Sequence, residues 1–91
     1  MEIQRTDDGK KGSFKATEDG KNAGLMTFVW AGEDKFIIDH TEGEPEFRGV
    51  GMKLLDSAVT YARENNFKII PLCPFAKKMF DKKEELRDVL A

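Results

Sequence analysis

The sequence predicts an α/β fold of the α+β kind, in which an antiparallel β-meander is followed by a parallel β-α-β crossover and a C-terminal helix. Two observations predict it. Residues 1–43 form short runs of strand-forming residues separated by turn sequences rich in Gly, Asp and Asn. From Gly51 onward the apolar residues recur with a helical period instead, and a short apolar run follows them.

Four strands are predicted in the first half of the chain, at residues 1–7, 12–18, 23–31 and 35–41. Three turn sequences separate them, at residues 8–10, 19–22 and 32–34. The third strand carries apolar side chains on both faces, with Met26, Phe28 and Trp30 on one and Leu25, Val29 and Ala31 on the other. Because successive side chains of a strand alternate between faces, we expect this strand to be covered on both sides.

The second half predicts two helices around one strand. The first helix extends from Gly51 to the Asn65-Asn66 pair, and its apolar stripe consists of Met52, Leu55, Val59 and Ala62, backed by Leu54 and Ala58. Residues 67–72 form a short buried strand, and Pro74 is suited to the first turn of a second helix. Residues 83–90 continue as a helical tail. Strand, helix and strand in this order predict a parallel crossover.

Composition limits the class of protein. Ninety-one residues with 40% hydrophobic content make one domain, residues 1–91, with a single core. A net charge of -2 argues against nucleic acid as a partner, and no apolar run is long enough to cross a membrane. The lone cysteine excludes an internal disulfide and is typical of a cytoplasmic protein. We expect a monomer or weak dimer without a metal site.

The segment at residues 47–53, FRGVGMK, places a Gly-rich turn between a strand and a helix. Glycines let the backbone turn tightly and approach a ligand, so that N–H groups at the helix N-terminus can bind a phosphate. The dinucleotide fingerprint G-x-G-x-x-G fails because Leu54 stands at its third glycine, and no Walker sequence occurs. The segment therefore predicts another phosphate-bearing ligand.

The run Pro45-Glu46-Phe47-Arg48-Gly49-Val50-Gly51 resembles the acyl-CoA signature of the GNAT superfamily of N-acetyltransferases, R/Q-x-x-G-x-G/A. Arg48, Gly51 and Lys53 stand at its three defined positions. Lys53 departs from the pattern, because a small residue is usual there, and it either contacts phosphate or obstructs it. His40-Thr41-Glu42 and Pro71-Leu72-Cys73-Pro74 make the chain similar to a short, single-domain GNAT-like subfamily along nearly its whole length.

This resemblance implies the GNAT fold, acetyl-CoA as the cofactor, and a small-molecule or peptidyl amine as the acceptor. It places the pyrophosphate at the Gly-rich turn and the pantetheine arm between two diverging strands. The implied cofactor-binding residues are Thr41, Glu42, Gly43, Phe47, Arg48, Gly49, Val50, Gly51, Met52, Lys53 and Lys77.

His40 and Cys73 are the candidate catalytic residues. Each follows one of the two strands that the crossover helix joins, so we expect them to be neighbours. Cys73 precedes Pro74 and would therefore be a helix N-cap, a position that favours a reactive thiol. The resemblance also places Phe80 where GNAT proteins commonly have a Tyr that protonates the departing CoA. Either Cys73 supplies that proton or forms an acyl-enzyme with His40 as proton acceptor, or the protein binds acyl-CoA without efficient transfer.

We therefore predict an acetyl-CoA-binding protein that acts as an N-acetyltransferase on an unidentified amine. The alternative is a noncatalytic acyl-CoA-binding or sensing module. A third possibility, a purely structural interaction domain, requires the Gly-rich turn to be incidental and predicts no affinity for CoA.

Overall fold

The computed structural model describes all 91 residues. The elements in chain order are β1 (Glu2–Asp7), β2 (Lys11–Glu18), β3 (Lys21–Trp30), β4 (Lys35–Gly43), α1 (Val50–Asn65), β5 (Lys68–Pro71), α2 (Pro74–Lys82) and a C-terminal 3₁₀ helix (Glu84–Val89). The predicted elements agree with these bounds to within about two residues, the usual uncertainty of an element's ends.

The five strands form one sheet in the order β1-β2-β3-β4-β5. The first four pair antiparallel with their sequence neighbours, whereas β4 and β5 pair parallel and are joined by α1. This arrangement is the predicted meander and crossover, so the predicted fold class is confirmed.

One face of the sheet holds the whole core. Most buried strand residues lie on the face toward the helices: Phe14, Ala16, Gly24, Met26, Phe28, Phe36, Ile38 and Ile69. Ala23, the extra residue where the pairing of β2 and β3 shifts, is buried as well. The prediction that β3 is covered on both faces is wrong, because Val29 on the other face is 38% exposed and Leu25 is only half-buried. We call this uncovered side of the sheet the open face.

Aromatic rings fill the space between the sheet and α1. Phe14, Phe28, Trp30, Phe36, Tyr61 and Phe67 form a continuous set of contacts with ring centroids between 5.0 and 6.5 Å apart. The indole Nε1 of Trp30 donates to Asp7 at 2.9 Å, so the ring's polar atom is satisfied. The Arg5 guanidinium lies 3.9 Å from the Tyr61 ring centre and joins the edge strand to α1.

Helix α1 packs its apolar stripe onto the sheet. Its buried residues are Val50, Leu54, Leu55, Ala58, Val59 and Ala62, which includes most of the predicted stripe; Met52 is only half-buried. The helix ends where predicted, because Asn66 takes a left-handed conformation with φ 59° and its N–H bonds the Ala62 carbonyl. No helix of the chain is long and apolar enough to cross a bilayer.

The C-terminal segment is held by two arginines. Arg63 of α1 donates to both carboxylate oxygens of Asp88, at 2.8 and 2.7 Å, and to the Glu85 carbonyl. Arg87 donates to the Phe80 carbonyl and so ties the 3₁₀ helix to α2. The predicted helical tail is therefore present, but as a 3₁₀ helix that buries Leu86 and Val89.

Acid should weaken the fold, in part through the ion pair of Arg63 and Asp88, which we call the clamp. The hydrogen bond from Arg63 lowers the pKa of Asp88, turn amides lower that of Asp8, and the N-terminal ammonium lowers that of Glu18. A folded-state pKa below the unfolded value means that the unfolded chain takes up more protons in acid. The free energy of unfolding, measured in urea, should therefore be steady near neutral pH and fall as the pH drops below about 4.

Asp88→Asn tests the clamp directly. It should lower the free energy of unfolding at pH 7 and leave a smaller loss between pH 7 and pH 3 than in the parent, because one depressed carboxyl is gone. Asp81→Asn is the matched control, since that side chain has no hydrogen bond or ion pair. Identical acid profiles for parent and Asp88→Asn would contradict the role given to Asp88.

Candidate functional site

The turn between β4 and α1 has the backbone geometry of an anion-binding site. Gly49 is the N-cap of α1 and takes a left-handed conformation with φ 80°, which favours glycine. The backbone N–H groups of Arg48, Gly49, Gly51 and Met52 have no hydrogen-bond acceptor within the protein. Because these donors surround the positive end of a 16-residue helix, they can bind an anionic group.

Gly51 contributes a free N–H group, and its missing side chain also makes room for packing between the two helices. Its backbone is not left-handed, and Gly49 alone makes the turn. A Cβ atom on Gly51 would lie 3.1 Å from Cζ of Phe75, so the absence of a side chain gives room to that ring. Gly51 thus lets the N-terminus of α2 approach the N-terminus of α1.

A close approach between β3, β4 and α1 fixes the position of the turn. A Cβ atom on Gly43 would lie 2.5 Å from Cγ1 of Val50, and one on Gly24 would lie 3.1 Å from Cγ2 of the same residue. Gly24 and Gly43 are direct partners across β3 and β4. The first residue of α1 is therefore seated on the last residue of β4, next to the free N–H groups.

Strands β4 and β5 diverge before β4 ends. Their pairing stops at Ile38 and Pro71, where the N–H groups of Leu72 and Cys73 both bond the Ile38 carbonyl. The edge of β4 that faces away from β3 has no strand partner over residues 39–43. An unpaired edge of this kind can pair with an extended ligand, and it leads directly to the Gly49 turn.

A β-bulge sits in the unpaired part of β4. Phe28 pairs with Ile38 and the next residue back, Thr27, pairs with His40, so Asp39 is an extra residue. Its carboxylate accepts a hydrogen bond of 2.7 Å from the Thr27 hydroxyl. The bulge shifts the alternation of side chains by one, which places His40 on the open face and Thr41 on the helix side.

Cys73 lies on the helix side and is buried, with 3% of its surface exposed. It is the N-cap of α2, as predicted, but its thiol does not cap the helix. The thiol instead donates to the Thr41 hydroxyl at 3.3 Å. The sequence predicts a readily reactive thiol, whereas in the structure this side chain is closed to solvent.

His40 stands on the opposite face of the sheet. Its Nε2 atom lies 3.1 Å from the Glu42 carboxylate, and both side chains are exposed. The expectation that His40 and Cys73 are neighbours is wrong, because the bulge directs them to opposite faces. Since an ionised carboxylate only accepts hydrogen bonds, Nε2 carries the hydrogen and Nδ1 is the free basic nitrogen.

Three cations were expected at the cofactor, and all three are exposed. Arg48 has no ion-pair partner and stands within the Gly49 turn. Lys53 is close enough to Glu18 to add to the effect of the N-terminal ammonium, which is the main cause of the lowered pKa of that carboxyl. The Lys77 side chain extends from the first turn of α2.

The remaining expected residues divide between packing and polar roles. Phe47 and Met52 are half-buried against the core and Val50 is buried, and of these three residues only Met52 has a backbone N–H group without an acceptor. Sequence reasoning missed Asp39, Thr27 and the Phe75 contact. It could have found Gly24, because a glycine inside a strand often marks a close approach of other atoms.

No group of three or more His, Cys, Asp or Glu side chains is arranged to hold a metal ion. The end of β4 combines backbone hydrogen-bond donors with one thiol, one imidazole and the carboxylates of Asp39 and Glu42.

Comparison with known proteins shows what the chain is similar to. The family profile described as GCN5-related N-acetyl-transferase matches residues 13–89. The solution structure of a GCN5-like protein from Staphylococcus aureus is 34% identical, with a TM-score of 0.77, and the match covers 99% of this chain and 87% of that one. Among proteins of curated function, none matches.

Two larger enzymes share the fold. A ribosomal-protein-alanine N-acetyltransferase from Brucella melitensis biovar Abortus has a TM-score of 0.68 at 21% identity, covering 82% of this chain and 64% of that one. An aminoglycoside acetyltransferase from an uncultured soil metagenomic sample, in complex with sisomicin, has a TM-score of 0.61 at 17% identity, covering 91% and 59%. The family match and the 34% identical structure together show that the chain belongs to the GCN5-related N-acetyltransferase (GNAT) family.

Proposed function

We propose that the protein binds acetyl-CoA at the junction of β4 and α1 and transfers its acetyl group to an amine, either a small molecule or a peptide. The observation that carries this proposal is the Gly49 turn, where four backbone N–H groups without acceptors surround a helix N-terminus. Backbone donors in this arrangement fit a pyrophosphate. Membership of an acetyltransferase family supports the same conclusion.

The residues of this chain divide the cofactor between them. The N–H groups around Gly49 and the free guanidinium of Arg48 would hold the pyrophosphate. The unpaired edge of β4 at residues 41–43 would pair with the pantetheine arm. Lys77 is a further cation for the adenosine phosphate, and Lys53 either adds to this charge or stands in its way. When bound, acetyl-CoA supplies an acetyl group activated as a thioester.

Two residues can move protons on opposite sides of the sheet. Nδ1 of His40 can accept a proton from an incoming ammonium on the open face, because Nε2 is engaged by Glu42. The Cys73 thiol can give a proton on the helix side, where Thr41 orients it. This separation supports direct attack by the amine over an acyl-Cys73 enzyme, since no base contacts the thiol.

The alternative is a module that binds acyl-CoA without transferring the acetyl group. One observation favours this alternative. Phe80 stands where the GNAT resemblance expects a Tyr, but it has no hydroxyl and only 1% of its surface is exposed. We also propose that the protein works in the cytoplasm, as a monomer or weak dimer.

Gly49→Ala should weaken CoA binding. Alanine at φ 80° is strained by about 1–2 kcal/mol, and relief of that strain would turn the free N–H groups away. We expect at least about a tenfold loss of CoA affinity by calorimetry. Gly20→Ala is a matched control, because Gly20 has φ 79°, no atom near its missing Cβ, and a place in the β2–β3 turn. Equal loss of CoA affinity in both variants would contradict the proposed site.

Arg48→Gln should weaken CoA binding by about tenfold at low salt and make the remaining affinity less dependent on salt. The reason is that one charge-assisted contact to phosphate is lost. Lys21→Gln, which removes an exposed charge from the start of β3, should change neither quantity. If the two variants behave alike in a calorimetric salt series, diffuse attraction rather than a defined contact accounts for binding.

His40 and Cys73 should affect transfer differently. His40→Ala should lower kcat and remove the part of its pH dependence that comes from protonation of the base. The affinity for CoA should not change. Cys73→Ala should also lower kcat. In direct transfer the thiol only donates a proton, so the intact mass of the parent protein should show no acetyl adduct. A stable acetyl adduct on Cys73 would show that transfer proceeds through an acyl-enzyme and not by direct attack of the amine. Parent rates in both variants would leave only the binding module.

A further inference from the structure

The open face carries apolar side chains along its middle. Leu25 and Val29 of β3 and Ile37 of β4 point to this side, since they alternate with core residues along their strands. Val29 is 38% exposed, one of three exposed large apolar residues of the chain, and the other two side chains are half-buried. Because burial of apolar surface drives association between proteins, this face favours a partner.

The charged side chains of the open face are divided between two strands. Lys11 and Lys15 of β2 lie on one side of β3, and Asp39 and Glu42 of β4 lie on the other. Neither lysine has an ion-pair partner in its own chain. Lys15 and Glu42 both pair with Leu25, so these three residues form one row across the sheet. The face is therefore basic along β2 and acidic along β4.

A second copy of the chain complements this pattern. When two open faces stack about a twofold axis that runs along β3 between the sheets, β3 faces its own counterpart and β2 faces β4 of the partner. Each row keeps its position along the strands, so Lys15 faces the partner's Glu42, twice in the assembly. Leu25 and Val29 meet the same residues of the partner on the axis. Apolar side chains are thus buried at the centre, with opposite charges paired on both sides.

Other arrangements of the two faces bring like charges together. An axis along β4 would set Glu42 against the partner's Glu42. An axis across the strands would set β2 on β2, so that Lys11 and Lys15 of one copy would face those of the other. Like charges in direct opposition are destabilising. The charge pattern therefore selects the axis along β3.

We propose that two copies of the chain associate through their open faces, with β3 on the twofold axis and Lys15 against the partner's Glu42. The five strands, about 17 Å long and ~4.8 Å apart, offer a flat area on the order of 400 Å². Since a stable interface needs ~800 Å² from each partner, the dimer is weak and forms at high protein concentration.

The dimer covers His40, which pairs with Thr27 of β3 and so lies close to the axis. The Gly49 turn is on the helix side and stays open. CoA binding and self-association are therefore compatible, whereas an amine can reach His40 only in the monomer. This last consequence rests on the acetyl transfer proposed above, but the association itself does not.

Sedimentation velocity from about 10 µM to about 1 mM protein tests the association. The weight-average mass of the parent should rise toward that of a dimer. Amide shifts that change with protein concentration should map to Leu25, Val29 and Ile37. A monomer throughout this range, or shifts confined to β1 or α1, would overturn the proposal.

Charge reversal tests the register of the two faces. Lys15→Glu should weaken association at least about tenfold, because two carboxylates would then face each other, and adding Glu42→Lys to this variant should restore association. Lys82→Glu, on α2, is the matched control for the change in net charge. A double variant that associates no more tightly than Lys15→Glu alone, or a control as weak as Lys15→Glu, would overturn the proposal.

Val29→Lys should abolish the dimer, because it places two ammonium groups on the axis. Thr60→Lys, on the exposed side of α1, is its control. A Val29→Lys dimer as tight as that of the parent would overturn the proposal. Calorimetry with CoA separates this result from the proposed function: a parent protein that fails to bind CoA would contradict that function, and sedimentation would still decide whether the open faces associate.

Discussion

The arrangement of the site depends on the contact of Val50 with two glycines. Its methyl groups occupy the space that side chains at positions 24 and 43 would need. Because Gly24 and Gly43 are partners, the contact fixes β3, β4 and α1 at one point. It brings the free N–H groups of the Gly49 turn to the end of β4. A larger residue at either glycine would push the helix N-terminus away from the end of β4.

The same contact explains the bulge. Upstream, Ile38 is fixed in the core opposite Phe28, and downstream Gly43 is fixed opposite Gly24. Between these points β3 advances four residues and β4 advances five, so one residue of β4 must remain unpaired. Asp39 is that residue, and the Thr27 hydroxyl holds its carboxylate on the open face. Packing at both ends of the segment thus determines on which side His40 emerges.

Much of this structure follows from the sequence, because its periods are clear. The change from alternating to helical spacing near Gly51 predicts the order of the elements, and Gly49 indicates the turn. The open face could not be predicted, since Leu25 and Val29 give β3 the pattern of a strand buried on both sides. The bulge was also missed, because it results from contacts that fix β4 at two distant points. The residues around Asp39 include neither of these contacts, so the sequence could not show that His40 and Cys73 lie on opposite faces of the sheet.

The two faces of the sheet carry different parts of the candidate site. The helix side contains the aromatic core, the Cys73 thiol and the backbone donors at α1, all held in place by packing. The open face exposes His40, Glu42 and the apolar side chain of Val29, whose burial would otherwise contribute to stability. Because the free edge of β4 lies between the two sides, a group bound along it can be reached from both. The proposed acetyl donor and the proposed amine would then approach a single strand from opposite directions.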